Sequence, residues 1–176
     1  MGGVGKTRVA DGGFDAPVKR EKSRDRFMAS AILEAKKSIR ERGIPIGAVL
    51  VKNGEIIGRG SNQRVQTGNR MAHAEMVCLE DALRKNEREE VIGATIYTTL
   101  MPCHMCAGAI IHYGILKVVA AENKTFPNAQ YLLEREDIKV TNLALVKCQL
   151  ALGNYVKSHP EYWKSGNFSL EGKGAK

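Results

Sequence analysis

Two short segments hold the residue types best suited to chemistry: His73-Ala74-Glu75 and Pro102-Cys103-His104-Met105-Cys106. Cys103 and Cys106 are three apart, so on a helix they share one face of a turn. Each segment is expected to open a helix, where thiolates are favoured by the positive end of the dipole and by free backbone N–H groups. One imidazole and two thiolates are soft-to-borderline donors that suit zinc in a tetrahedral site. Structural zinc sites are closed by four protein ligands, whereas catalytic sites leave one position for water. Cys78 lies about 140° around the helix from His73 and about 7.5 Å along it, so it is expected in the core. His104 faces away from its cysteine neighbours, and Cys148 belongs to another helix. The expected metal ligands are therefore His73, Cys103 and Cys106, with the fourth position open. Glu75, in the first turn beside His73, is the candidate catalytic residue: a carboxylate next to an activated water can take its proton and pass it to a leaving amine. A redox role for the Cys-x-x-Cys pair alone would leave His73 and Glu75 without a purpose.

The surrounding pattern supplies the elements that must position these groups. Met28, Ala31, Ile32, Ala35 and Ile39 recur at helical spacing within about 26–41, and Gly43 is read as the stop. Ile46–Lys52 and Glu55–Gly60 are expected strands joined by Asn53-Gly54, a strong hairpin signal. A loop is expected over 61–71 and a helix over 73–85. A strand over 95–100, a short buried helix over 103–112 and a strand over 117–121 follow. A short helix over 128–134, a strand over 138–141 and a helix over 143–157 complete the pattern, with an irregular tail from Ser158. A hairpin followed by strands that alternate with helices predicts an α/β fold on a mixed sheet, its last strands parallel.

The chain has 176 residues with 27 basic and 19 acidic side chains, a formal charge of +8. That length suits a single domain with its own core. Four cysteines in a chain of this length do not suggest a disulfide framework. No apolar run is long enough to span a membrane, no secretory signal is read at the start, and the expected location is the cytoplasm. Residues 1–24 carry six basic and three acidic side chains with no apolar period. They are read as a disordered basic tail, with the catalytic domain over 25–176. Within that tail, Gly2-Gly3-Val4-Gly5-Lys6-Thr7 lacks the upstream glycine and the preceding strand of a phosphate loop.

The pairing of His-x-Glu with Pro-Cys-x-x-Cys is the arrangement of zinc nucleobase deaminases, and the chain resembles the cytidine deaminase-like superfamily over about 26–163. The resemblance rests on those two segments and on Ile44-Pro45-Ile46-Gly47-Ala48, Gly60-Ser61-Asn62, Tyr97-Thr98-Thr99-Leu100 and Ala107-Gly108-Ala109-Ile110-Ile111. It implies a three-layer α/β/α sandwich around a central mixed five-stranded sheet, one Zn2+ per subunit and a homodimer. Glu122-Asn123-Lys124-Thr125-Phe126, Tyr131-Leu132 and Pro160-Glu161-Tyr162-Trp163 look most like the free cytosine deaminases of fungal type. By that resemblance Asn62 hydrogen-bonds the base edge, Ala74 and Met101 lie against it (Met101 through its carbonyl), and Phe126 and Trp163 stack on or cover the ring. The chain departs from that branch after Trp163, where Lys164-Ser165-Gly166 stands in place of acidic residues.

The expected activity is hydrolytic deamination of a free base, cytosine to uracil and ammonia, with a small heterocycle as the partner. A guanine or other aminated-heterocycle deaminase, a tRNA adenosine deaminase and a non-catalytic zinc module are the alternatives. The charge leans toward nucleic acid, but the last long helix has only Lys147 and Lys157 as bases, and RNA binding needs Lys and Arg clustered on one face.

Overall fold

The structure, a computed structural model, describes residues 15–126 and 129–164. Its elements are α1 (Asp15–Arg40), β1 (Gly47–Lys52), β2 (Glu55–Ser61), α2 (Arg64–Thr67), α3 (Ala74–Lys85), α4 (Arg88–Val91), β3 (Thr95–Thr98), α5 (His104–His112), β4 (Lys117–Ala120), α6 (Gln130–Arg135), β5 (Lys139–Asn142), α7 (Val146–Ser158) and α8 (Pro160–Lys164). The five strands form one sheet in the order β2-β1-β3-β4-β5. β1 is antiparallel to both β2 and β3, while β3, β4 and β5 run parallel. The mixed sheet expected from the sequence is thus present, and its parallel part is the one whose connections pass through helices.

Period-two alternation sorts the strands between two cores. Ala48 and Leu50 of β1, Ile96 of β3 and Val118 of β4 face a core that also takes Ala74, Cys78, Leu79 and Ala82 of α3 and Ala107 and Ile110 of α5. Val49, Val51, Tyr97 and Val119 face the other side, where Phe27, Met28 and Ala31 of α1 cover them. The register agrees, with Val49 opposite Tyr97, Leu50 opposite Ile96 and Ile96 opposite Val118. Helices therefore cover both faces, giving the α/β/α sandwich. The near-continuous apolar run of β1 follows from burial on both faces.

Glycines let the helices approach the hairpin closely. A Cβ on Gly60 would lie 2.2 Å from the Ala74 carbonyl oxygen and 2.4 Å from the Cys78 nitrogen. On the opposite face, a Cβ on Gly47 would lie 2.2 Å from the Ala31 carbonyl oxygen. The backbone of α3 thus rests directly on β2, which fixes the height of its N-terminus above the sheet. The hairpin turn is the expected one, with Asn53 (φ 51°) and Gly54 (φ 82°) both left-handed.

Several boundaries differ from the sequence reading. α1 begins at Asp15 rather than near Arg26, so residues 15–24 are helical and not part of an irregular tail. Residues 1–14, with the glycine-rich Gly2–Thr7 stretch, lie outside the described residues. The chain leaves α1 through Arg42 (φ 62°), not through Gly43, which instead sits against the Gln66 side chain. The expected loop 61–71 contains α2, and α4 forms before β3 where no helix was foreseen. The expected irregular tail opens with α8, since Pro160 is suited to the first turn of a helix. Among the described residues, no helix is long and apolar enough to cross a membrane.

Candidate active site

Two helix N-termini meet at the C-terminal end of β3. His73 is the N-cap of α3, in extended conformation (φ −69°, ψ 155°), and Cys103 is the N-cap of α5 (φ −73°, ψ 173°). An extended cap turns its side chain out of the helical screw, so His73 and Glu75, two apart, reach one point. Cys103 and Cys106 do the same from α5. The Cys103 and Cys106 sulfurs are 3.6 Å apart, and His73 Nδ1 lies 3.5 Å from the first and 3.6 Å from the second. A tetrahedral zinc with Zn–S about 2.3 Å and Zn–N about 2.0 Å requires S···S of about 3.8 Å and S···N of about 3.5 Å. The three donors fit the ion in chemical type and in spacing, and among the described residues they form the one such cluster.

The electrostatics agree with a metal-binding pair. The two cysteines share a hydrogen bond, and this bond, with the His73 contact, holds Cys103 down to about 4 against the cost of burial. Cys106 is pushed up by that same shared hydrogen bond, by burial and by the Glu75 charge. Metal binding requires both thiols as thiolates, so a cation at this site would favour release of their protons.

Glu75 is 3% exposed. Its Oε1 accepts a hydrogen bond from Thr98 Oγ1 at 2.6 Å, and its Oε2 lies 3.5 Å from the Cys106 sulfur. Burial raises its pKa above the usual carboxylate range, and the Thr98 bond and the His73 charge oppose the rise. Such an environment suits a group that must both accept and return a proton near neutral pH.

A pocket opens over these groups, lined by Asn62, Arg64, His73, Glu75, Cys103, Met101, Phe126 and Trp163, with Ile46 and Leu100 as apolar wall. Asn62, fully buried, has its orientation fixed. Its Oδ1 accepts from the Arg64 N–H at 3.1 Å, and its backbone carbonyl accepts from Ser38 Oγ at 2.8 Å and from Gln66 Nε2. With Oδ1 engaged, the amide NH2 is the group left for the pocket. Phe126 and Trp163 meet edge to face, ring centroids 5.9 Å apart at 87°. The pocket encloses about 370 Å³ of empty space, within the size range of small-molecule sites.

Of the residues singled out in the sequence, His73, Cys103, Cys106, Glu75, Asn62, Met101, Phe126 and Trp163 come together here. Ala74 does not line the pocket; it is fully buried in the core under α3. Cys78 is buried in that same core, Cys148 is buried under the other face, and His104 points outward against the Tyr131 ring. Sequence reasoning missed Arg64, which lines the pocket at 8% exposure. It sits two residues beyond Asn62 in a polar stretch that reads as loop, and only its contact with the distant Tyr162 carbonyl marks it out. Also missed was the work of Glu122. Its buried Oε2 accepts the N–H groups of Lys124 (2.7 Å) and Thr125 (3.0 Å), which shapes the turn that delivers Phe126.

Comparison with known proteins agrees with this geometry. The cytidine and deoxycytidylate deaminase zinc-binding region matches residues 21–122. A cytosine deaminase of Candida albicans is 39% identical over 134 residues, covering 76% of this chain and 89% of the relative. A tRNA-specific adenosine deaminase of Bacillus subtilis is 47% identical over 93 residues, which is 53% of this chain and 58% of that protein. A solved tRNA:A34 deaminase structure, from work on A-to-I editing at the wobble position of transfer RNA, superimposes with TM-score 0.53 at 37% identity over 55% of this chain and 75% of that one.

Proposed function

The chain belongs to the cytidine and deoxycytidylate deaminase family of zinc-binding hydrolases, and from that premise we propose that it deaminates a free nucleobase, cytosine to uracil and ammonia. The observation that carries the reading is the pocket that brings Phe126 and Trp163 together over Glu75 and the metal donors. A cover made by Phe126 and Trp163 suits a single ring, because a π-face stacks or packs on aromatic side chains. The identity to the Candida albicans cytosine deaminase across most of both chains supports the same substrate. A cytoplasmic homodimer is part of this reading.

His73, Cys103 and Cys106 would hold the zinc, which when bound supplies a Lewis acid that makes water a nucleophile near neutral pH. Asn62 donates its amide to an oxygen on the base edge, and the Met101 carbonyl accepts from the exocyclic amine. Together these place the amine-bearing ring carbon beside Glu75. Glu75 takes a proton from the attacking water and delivers it to the adjacent ring nitrogen as the C–O bond forms. It then moves the second water proton to the amine, and the C–N bond breaks to release ammonia. Thr98 holds the carboxylate in the orientation that serves both transfers. Phe126 and Trp163 exclude bulk water while this happens.

The test is ammonia release from purified zinc-loaded protein with cytosine, guanine, adenine, isocytosine, creatinine, cytidine and a tRNA anticodon stem-loop. Turnover of cytosine is expected. The identity to the Bacillus subtilis tRNA-specific adenosine deaminase favours the stem-loop as second reading, and turnover of that RNA with silence on cytosine would move the substrate there. Glu75→Ala should keep one zinc per chain and lose at least about a thousandfold in kcat, since the proton relay is removed. Unchanged turnover in that variant sinks the mechanism.

A further inference from the structure

Arg64 stands in the pocket wall at 8% exposure, and its Nε has no hydrogen-bond partner. Its Nη2 donates to the Tyr162 carbonyl at 3.4 Å, the residue before Trp163 on α8. Among the described residues no carboxylate pairs with it. A guanidinium taken this far out of water is costly unless it finds acceptors, and a buried orphan donor loses the full desolvation penalty of its N–H. The side chain has two neighbours that matter for recognition. On one side is Asn62, whose amide NH2 is turned to the same pocket because its Oδ1 is engaged by the Arg64 backbone. On the other is the α8 segment that carries the aromatic cover. The pocket wall thus holds a pair of donors, and one of them is tied to α8.

We propose that Arg64 is a specificity-determining residue: its guanidinium reads an oxygen acceptor on the edge of the heterocycle that faces it, and through the Tyr162 carbonyl couples that contact to closure of α8 over the ring. The substrate class is therefore an aminated heterocycle carrying an oxygen acceptor, whether a ring carbonyl or a carboxylate substituent. An aminated ring that presents only N–H or C–H on that edge leaves the guanidinium unpaired and is rejected, because a site built around buried donors discriminates strongly against analogues lacking their partner. This inference rests on the deaminase reading for the placement of the amine, but its test is a binding measurement.

Trp163 is the sole tryptophan of the chain, so its fluorescence reports directly on the lid. Zinc-loaded full-length protein is titrated with three rings that lack an exocyclic amine: pyrimidine, pyrimidin-2-one and pyrimidine-5-carboxylate. The wild type is expected to bind at least one oxygen-bearing ring about tenfold or more tighter than pyrimidine, with a change in Trp163 emission. Preference between the two identifies the acceptor as carbonyl or carboxylate. In Arg64→Gln the discrimination should fall below about threefold, and in Arg64→Lys, which keeps the charge but not the planar fork, it should be intermediate. Wild-type discrimination retained in Arg64→Gln overturns the proposal. If Arg64→Gln fails to fold by circular dichroism, Arg64→Lys decides, and unchanged discrimination there overturns it equally. Oxygen-selective binding without ammonia release from any aminated ring would leave Arg64 as assigned and defeat the deaminase reading. Turnover of cytosine with no loss of selectivity in either variant would do the reverse.

Discussion

Thr98 ends β3 fully buried, with its hydroxyl on the Glu75 carboxylate at 2.6 Å. The Thr98 bond is the shortest side-chain hydrogen bond to that carboxylate among the described residues, ahead of the Cys106 thiol at 3.5 Å, so we expect the threonine to set where the carboxylate points. A hydrogen bond to a charged group contributes about 1.5–3 kcal/mol, and about 1.4 kcal/mol is tenfold in rate. Thr98→Val keeps the shape and removes the donor. It should lower kcat by about tenfold or more while KM stays within about threefold and zinc content is unchanged, as read by steady-state ammonia release and metal analysis. Unaltered kcat would show that Glu75 is oriented by something else. The chemistry of this site was legible in the sequence because residue type and short spacing define it: His73, Glu75, Cys103 and Cys106 announce themselves by two local patterns. Thr98 was visible only as part of a resemblance, and Arg64 not at all. Their roles depend on partners 23 and 98 residues away, a separation that no local pattern records.

At the scale of elements, the site exists because α3 lies directly on β2. Gly60→Ala would push a methyl into the Ala74 carbonyl and the Cys78 nitrogen, both backbone atoms that cannot rotate away. Overpacking of this kind costs about 1–3 kcal/mol or more, and any relief must lift the helix that carries His73. The expected result is lower stability in urea together with weaker zinc retention against a chelator. Gly153→Ala is the contrast: within α7 its added methyl meets nothing within 4 Å, and the change should stabilise the fold by about 0.5–1 kcal/mol. Equal effects from the two would contradict the packing argument.

The same α3–β2 junction has a titrating tie. Asp81 accepts the Arg59 N–H at 3.0 Å and Lys85 Nζ at 2.8 Å. Partial burial pushes its pKa up, but Lys85 and the Arg59 amide outweigh that and hold it below the ordinary carboxylate value. A depressed folded pKa means the stabilisation is present above the unfolded value, about 3.9, and is lost as pH falls through the folded one. The stability difference between wild type and Asp81→Asn should therefore be constant from about pH 5 to 8 and shrink below about pH 4. A difference that persisted into acid would assign the effect to shape. The strands and long helices here were legible because alternation and 3.6-residue periods are written locally. The start of α1, α2, α4 and α8 were not, since such ends depend on caps and tertiary packing more than on apolar period.

For the whole molecule the open question is what the +8 charge is for, and salt answers it. If a polyanion were the substrate, binding would release counterions from each phosphate the protein neutralises. Six to ten such contacts lower affinity by about 10³–10⁵ between 50 and 200 mM salt. A neutral base entering a pocket covered by Phe126 and Trp163 releases none. The last long helix, α7, contributes only Lys147 and Lys157, too sparse a face to track a backbone. With cytosine as substrate, kcat/KM should therefore change by less than about twofold from 50 to 200 mM KCl. With the anticodon stem-loop, any activity should be far slower at both ends of the range. A steep fall confined to the stem-loop, alongside its efficient turnover at low salt, would mean that the basic surface does guide RNA to the site, and the substrate assignment would pass from the free base to the nucleic acid while the zinc, Glu75 and Thr98 kept their roles.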